Sequence, residues 1–166
     1  TLSAYPFPIL LVLHRHKSSS PDLVKLMSRK EGVIVVEAED GDEMKEGVML
    51  LAPPDYHMVI NPDGLVSLSL EEPVNYARPS IDVLFASAAR AFGPRVVGVL
   101  FSGASRDGVD GLKEIRARGG VTIVQDPKTA ESPFMPQTAV QEEAADLVLP
   151  PEGIVEKLKE FAGGGR

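Results

Sequence analysis

Residues 96–124, VVGVLFSGASRDGVDGLKEIRARGGVTIV, contain the pattern that decides the fold of this chain. The continuously apolar run from Val96 to Phe101 predicts a strand that is covered on both faces. A glycine-rich turn follows, and a helix is predicted from about Asp107 to Arg118, where two glycines end it. The run Val121 to Val124 predicts the next strand. Together these elements form a right-handed βαβ unit, whose two strands are parallel.

The same alternation of strands and helices extends outward from this unit. Further apolar runs of strand length are Ile9 to Leu13, Val33 to Val36, Val48 to Leu51 and Leu147 to Leu149. Three further helices are predicted. The first begins with the N-cap and proline at Ser20-Pro21, has an apolar stripe at Leu23, Leu26 and Met27, and ends near Gly32. The second opens at Pro79-Ser80 with a stripe at Ile81, Leu84, Phe85 and Ala88, and the third covers Ile154 to Phe161. A looser stretch is expected through Met135-Pro136.

One segment predicts an antiparallel hairpin instead. The Asp63-Gly64 pair lies between the apolar run Met58 to Ile60 and the alternating run Leu65 to Leu70. No internal repeat and no long linker divides the chain. We therefore predict a single domain over residues 1–166 of the α/β class, a three-layer sandwich with a mainly parallel, Rossmann-like sheet and an attached antiparallel hairpin.

The composition argues against several classes of function. The 166 residues include 17 basic and 24 acidic side chains, and the net charge of −7 argues against nucleic acid or an anionic membrane surface as a partner. Cysteine is absent, which excludes disulfides, thiolate catalysis and cysteine-ligated zinc. No apolar run approaches the roughly 20 residues that span a bilayer. We expect a cytoplasmic protein without membrane insertion.

Two strand ends carry candidate functional residues, and the carboxyl ends of parallel strands are where ligands bind in open α/β sheets. The strand Ile9 to Leu13 leads directly into His14, and the strand Val96 to Phe101 leads into the loop that contains Asp107. A histidine there can act as a general base, with the aspartate accepting its second ring proton. The structural alternative is that His14 only packs and Asp107 only caps its helix. The residues alone leave both interpretations open.

The two other histidines are weaker candidates. If its strand continues, His16 faces the same side as His14, but no carboxylate follows at a recognisable ligand spacing, so no metal site is assigned. His57 is interpreted as structural.

Nucleophile and nucleotide motifs are incomplete. Gly103-Ala104-Ser105 is similar to a nucleophile turn, but Asp107 stands where the G-x-S-x-G motif needs its last glycine. G-x-G-x-x-G and G-x-x-x-x-G-K-[ST] are both missing, so no nucleotide cofactor is indicated. A hydrolase of another class that depends on Ser105 remains an alternative.

Five ordered stretches carry a resemblance to a known family. They read VLHRHKSSSPDL, VEAEDGDEMKEGVMLLAPPDYHM, RPSIDVLFASAA, VVGVLFSGASRDGVDGLKEIRARGG and VQDPKTAESPFMPQTA. Across nearly its whole length the chain resembles the catalytic domain of the CheB-type chemotaxis protein-glutamate methylesterases, particularly stand-alone forms without a receiver domain. The resemblance implies hydrolysis of glutamate methyl esters on methyl-accepting chemotaxis receptors, with deamidation of receptor glutamines in some members.

The resemblance also implies roles for particular residues. The family uses a Ser-His-Asp triad without metal or organic cofactor, and its histidine and aspartate fall on His14 and Asp107. The backbone of Gly103, Ala104 and Ser105 would border the substrate, and Ala104 and Ser105 are candidates for donors to the oxyanion. Met135 matches an MP segment near the family's site, and Arg78 matches its RPS segment; both are expected to line the site.

The chain departs from the family pattern at the nucleophile. The family serine lies in a G-x-S-x-G-G turn after a first strand, ahead of the region where residues 1–166 begin, and Ser3 lacks the flanking glycines. We expect an N-terminal strand and nucleophile turn upstream, because without that strand a parallel sheet would have a gap at its centre. The alternative is a catalytically inactive binding module that keeps the receptor-facing surface.

Overall fold

Parallel strands form two three-stranded sheets in the computed structural model, which describes residues 5–15, 22–28 and 34–164. In chain order the strands are β1 Ile9–Leu11, β2 Ile34–Glu37, β3 Val48–Leu51, β4 His57–Ile60, β5 Val66–Ser69, β6 Val97–Leu100, β7 Val121–Gln125 and β8 Leu147–Leu149. The α-helices are α1 Asp22–Ser28, α2 Ile81–Phe92, α3 Val109–Ala117, α4 Phe134–Gln141 and α5 Pro151–Ala162. Short 3₁₀ turns lie at Gly93–Arg95 and Pro127–Thr129.

The strand orders confirm the predicted α/β class. The first sheet has the order β1-β3-β2 and the second the order β6-β7-β8, and all four pairings are parallel. The predicted hairpin is the antiparallel pair β4-β5, in which Ile60 pairs with Val66. The turn between them contains Gly64 at φ 85°, a backbone conformation that favours glycine.

Helix α2 lies between two hydrophobic clusters, one on the side of the first sheet and one on the side of the second, and contacts both. One cluster combines the first sheet and the hairpin with Leu84 of α2. The other combines β6, β7, α3 and α4, and Phe85 of α2 packs against it. The predicted apolar stripe of α2 therefore contacts both clusters, since its members point to neighbouring sides of the helix.

The second sheet has helices on both faces. Gly98 lies on the face covered by α3, where an added Cβ would come within 2.6 Å of Ile115 Cδ1, so glycine permits this close packing. Ile123 is fully buried on the opposite face, and α5 packs against β7 and β8 there. No helix in the described ranges is long and apolar enough to cross a bilayer.

Three elements differ from expectation. Strand β6 is not fully buried: Val97 is 36% exposed, and one edge of β6 has no partner strand among the described residues. Helix α1 buries none of its residues, and Leu26 of its predicted stripe is 61% exposed. The stretch expected to be loose contains α4, because Pro136 lies in the first turn, where proline is tolerated, and Met135 and Ala139 supply a buried face.

Some predictions fall outside the described residues. These are the N-cap at Ser20-Pro21, the helix end near Gly32, the strand start at Val33, and the interpretations of Ser3 and His16.

Candidate active site

The structure joins the two candidate residues that follow β1 and β6. His14 Nε2 and Asp107 Oδ2 are 2.6 Å apart, although 93 positions separate them in sequence. The side chain of His14 is 32% exposed, whereas that of Asp107 is completely buried. The pair therefore presents an accessible imidazole to solvent and supports it from behind with a carboxylate.

The Asp107 carboxylate is surrounded by hydrogen-bond donors from the start of α2. Oδ2 accepts the Ile81 N–H at 2.6 Å. Oδ1 accepts the Ser80 hydroxyl at 2.7 Å and the Asp82 N–H at 3.1 Å. Burial by itself raises the pKa of Asp107, but the bonds from His14, Ser80 and the two amides outweigh it, and the pKa lies below its ordinary value. The group is therefore anionic at neutral pH.

The charge on Asp107 determines the tautomer of His14. An ionised carboxylate can only accept hydrogen bonds, so the proton in this contact is carried by Nε2 of the imidazole. In the neutral imidazole, Nδ1 then has the free lone pair and is the atom that can act as a base.

A second buried carboxylate, that of Asp82, serves the neighbouring helix in the same way. The N-cap of α3 is Gly108, which has no side chain to accept the free amides of the first turn. Asp82 Oδ1 accepts the Gly111 N–H at 2.6 Å instead. Asp107, which precedes α3, thus caps α2, and Asp82, within α2, caps α3.

A tight turn contacts both carboxylates. Val74 and Ala77 exchange two backbone hydrogen bonds, and the two residues between them have positive φ, 49° at Asn75 and 62° at Tyr76. This is the backbone pattern of a type I′ turn. Asn75 Nδ2 donates to Asp82 Oδ2 at 2.7 Å and lies 3.5 Å from Asp107 Oδ1, whereas Tyr76 is fully exposed.

His57 has a supporting position behind the site, in agreement with its structural interpretation. It is 1% exposed; its Nδ1 accepts the Ser80 N–H at 3.2 Å, and its Nε2 donates to the Glu72 carbonyl at 3.0 Å. It therefore orients Ser80, which in turn donates to Asp107.

Arg78 is engaged within the protein. Its guanidinium forms an ion pair with Asp55 at 2.8 Å and donates to the carbonyls of Leu70 and Glu71, both at 3.1 Å. These contacts hold the segment from β5 to α2. No contact of Arg78 with His14 or Asp107 is found in the described part of the chain.

The loop expected to border the substrate is held by hydrogen bonds to the start of α4 and the segment before it. The Gly103 N–H donates to Ser132 O, and the Gly103 carbonyl accepts the Met135 N–H, both at 2.9 Å. A Cβ on Gly103 would lie 2.5 Å from Met135 Cε, so Met135 packs directly against this glycine. Ala104 is exposed. Ser105 Oγ accepts the Asp107 N–H at 3.1 Å and so stabilises the turn that presents Asp107.

Sequence reasoning did not identify Asn75, Ser80 and Asp82 as parts of this site. Ser80 was identified only as the start of α2. The sequence signal was a serine and an aspartate in the first turn of a helix, which ordinarily indicates local capping. Among the described residues, no group of three His, Asp or Glu side chains could hold a metal ion.

Comparison with known proteins gives consistent results. The family model CheB methylesterase matches residues 1–158. A Leptospira interrogans protein, named provisionally as a protein-glutamate methylesterase/protein-glutamine glutaminase, is 40% identical over 152 residues, which are 92% of this chain and 79% of that protein. A Pyrococcus abyssi protein-glutamate methylesterase/protein-glutamine glutaminase is 37% identical over 164 residues, 95% of this chain and 45% of that protein.

A solved structure agrees with these relatives. The crystal structure of the Thermotoga maritima CheB methylesterase catalytic domain is similar with a TM-score of 0.91 and 31% identity, covering 96% of this chain and 86% of that one. The resemblance noted in the sequence is confirmed, and the chain belongs to the CheB methylesterase family.

Proposed function

We propose that the full-length protein hydrolyses glutamate methyl esters on methyl-accepting chemotaxis receptors, and deamidates receptor glutamines, through a Ser-His-Asp triad. His14 is the general base and later the general acid of this triad, and Asp107 is the carboxylate that orients it. The observation that carries the proposal is the 2.6 Å contact between an accessible imidazole and a buried, anionic carboxylate. The family's description supports an ester as the substrate, and the names of the relatives, which include a glutaminase, support an amide.

The reaction is acyl transfer. Nδ1 of His14 takes the proton of a serine hydroxyl while the serine oxygen attacks the ester carbonyl carbon. The imidazolium then protonates the departing methoxide, which leaves as methanol. Water attacks the acyl-enzyme with His14 again as base, which releases the glutamate carboxylate and restores the serine. Because the pKa of Asp107 is lowered, Asp107 stabilises the imidazolium without taking its proton.

The unpaired edges of β1 and β6 support the proposal that the nucleophilic serine follows an additional strand. Within the described residues β1 pairs only with β3, and β6 pairs only with β7. Val97 of β6 and Phe101, which follows it, are 36% and 46% exposed. His14 and Asp107 follow these two strands. A parallel strand between them would end beside both side chains, and the turn after it would carry a nucleophile to the imidazole. We assign the upstream strand and nucleophile turn of the family pattern to this position.

Ser105 is the competing nucleophile. Its hydroxyl oxygen accepts the Asp107 amide, and no hydrogen bond to His14 is found among the described residues. We therefore expect a serine-directed phosphonate to label the full-length protein at a serine other than 105. A labelled peptide that contains Ser105 would establish the competing mechanism.

The central experiment measures methanol release from methylated receptor by the full-length protein. We expect His14→Ala and Asp107→Asn to lower kcat by about 10³-fold or more while circular dichroism remains that of the folded protein. Asp110→Asn, an exposed substitution in the first turn of α3, is the control and is expected to keep full activity. Unchanged turnover in either site variant would refute the assignment. If the folded wild-type protein binds receptor but releases neither methanol nor ammonia, the protein is instead a binding module.

A further inference from the structure

A second buried carboxylate lies next to the proposed triad, and the reaction above does not use it. Asp82 is 8% exposed, and both of its oxygens accept hydrogen bonds, one from the Gly111 amide and one from the Asn75 side chain. The pKa of Asp82 is raised to about 6, mainly by burial; the bonds from Gly111 and Asn75 oppose the rise, and the nearby charges of Asp107 and Asp110 add to it. Burying a carboxyl group costs free energy. A carboxyl that is buried beside a site is therefore expected to contribute to the fold or to the site.

The first role of Asp82 is to fix the start of α3. Asp107 precedes Gly108, the N-cap of α3, and Gly111 belongs to the first turn of that helix. The bond from Gly111 N–H to Asp82 ties this turn to α2, while Asp107 accepts amides of α2 in the opposite direction. Two crossed links therefore set the position of the Asp107 backbone relative to the helix whose amides hold its side chain.

The second role involves Asn75, whose single amide group lies between the two carboxylates. It donates to Asp82 at 2.7 Å and faces Asp107 at 3.5 Å. Two buried carboxylates repel each other, and the repulsion favours protonation or separation of the pair. A donor placed between them reduces that repulsion. The type I′ turn holds this donor in place, since both central residues have positive φ.

We propose that Asp82 and Asn75 are positioning residues that hold the Asp107 carboxylate in its contact with His14. Asp82 acts through the first turn of α3, and Asn75 acts by separating the two carboxylates. This inference deepens the proposed function, and its activity measurement rests on that function.

The first test needs no activity. The proton shared by His14 Nε2 and Asp107 Oδ2 should give a downfield proton resonance in the full-length protein, and Asp107→Asn identifies it. We expect Asp82→Ala and Asn75→Gly to weaken this resonance or shift it upfield. Glycine at position 75 tolerates the positive φ and removes the side chain that carries the amide. Tyr76→Gly in the same turn is the matched control and should leave the resonance unchanged.

A conservative variant tests the link between Asp82 and Gly111. Asp82→Asn keeps an oxygen that can accept the Gly111 N–H, so its resonance should lie closer to that of the wild type than the resonance of Asp82→Ala. If folded Asp82→Ala and Asn75→Gly both retain the wild-type resonance, the proposal is overturned. Equal loss in Asp82→Ala and Asp82→Asn would overturn the role of the Gly111 link.

The second test is kinetic. We expect Asn75→Gly and Asp82→Ala to lower kcat for methanol release by about 10- to 100-fold with little change in KM, because a misplaced base affects the chemical step more than receptor binding. A change in KM alone would contradict a positioning role. If wild-type protein shows no methanol release, the proposed function fails, while the resonance test still decides whether Asp82 and Asn75 position Asp107.

Discussion

The N-termini of α2 and α3 each bond a buried carboxylate from outside their own first turn, yet the pKa values of these two carboxylates are shifted in opposite directions. Asp107 caps α2 and accepts donors from His14, Ser80 and two backbone amides, and its pKa is lowered. Asp82 caps α3 with one backbone amide and one side-chain donor, and its pKa is raised to about 6. Both carboxylates are buried. Because both are buried, the comparison teaches that the difference in hydrogen-bond donors accounts for the opposite directions of the two pKa shifts.

The largest effect on stability is expected at Gly111, where α3 is in close contact with α2. A Cβ at Gly111 would lie 2.5 Å from Phe85 Cβ and 3.2 Å from Asp82 Cα, neither of which can turn aside. Gly111→Ala should therefore lower the free energy of unfolding by about 3 kcal/mol in urea denaturation. Gly153→Ala in α5 is the control: its nearest contacts are 3.4 Å, and helix propensity favours alanine by about 1 kcal/mol. Equal stability of both variants would mean that α2 and α3 are not in such close contact.

The second effect concerns the pH dependence of stability. The pKa of Asp82 is about 6 in the folded protein and 3.8 as the ordinary reference, so the native state binds this proton more tightly than the unfolded state. Stability from Asp82 is thus fully present below about pH 4 and is lost as the pH rises through about 6, by at most about 3 kcal/mol. Asp82→Asn removes this loss. Its stability relative to wild type, measured by denaturation from pH 4 to pH 7.5, should rise with pH; a constant difference would contradict the raised pKa.

The third effect separates capping from support of Asp107. Ser80 Oγ donates to Asp107 and accepts the Val83 N–H, whereas Ser87 in the same helix donates to the Leu84 carbonyl and accepts the Ile60 N–H. Each serine-to-alanine change should cost about 1–2 kcal/mol of stability. Only Ser80→Ala should also lower methanol release, because of these two serines only Ser80 bonds the Asp107 carboxylate. An equal loss of activity in Ser87→Ala would show that the effect is a general loosening of α2.

The smallest effect is expected at a surface ion-pair network of α3. The guanidinium of Arg106 bonds both Asp110 and Glu142, but all three side chains are at least partly exposed to solvent. Solvent and salt screen such pairs. Arg106→Gln should therefore leave the thermal unfolding midpoint within experimental error at physiological salt, as well as the activity. A marked fall in the midpoint would show that the network contributes as much as the buried carboxylates.

The sequence predicted local structure well where periodicity and turn chemistry agree. The hairpin was predicted because Asp63-Gly64 separates two apolar runs, and β3 has the predicted bounds. Helix α4 was missed because Pro136 suggested an irregular segment, although proline fits the first turn of a helix. The exposure of Val97 on β6 was also missed, since an apolar run does not show whether a neighbour covers each face.

The sequence by itself determined that apolar runs alternate with helices, that the ends of β1 and β6 carry a histidine and an aspartate, and that the family motifs are present. Only the tertiary structure decided that these two side chains meet at 2.6 Å and that Asp82 and Asn75 lie beside them. The physical reason is that hydrophobic periodicity indicates which face of one element is buried, and not which other element packs against it. A capping carboxylate taken from another helix depends on how the two helices pack, and a single serine or aspartate in a first turn does not indicate whether its partner is local or distant.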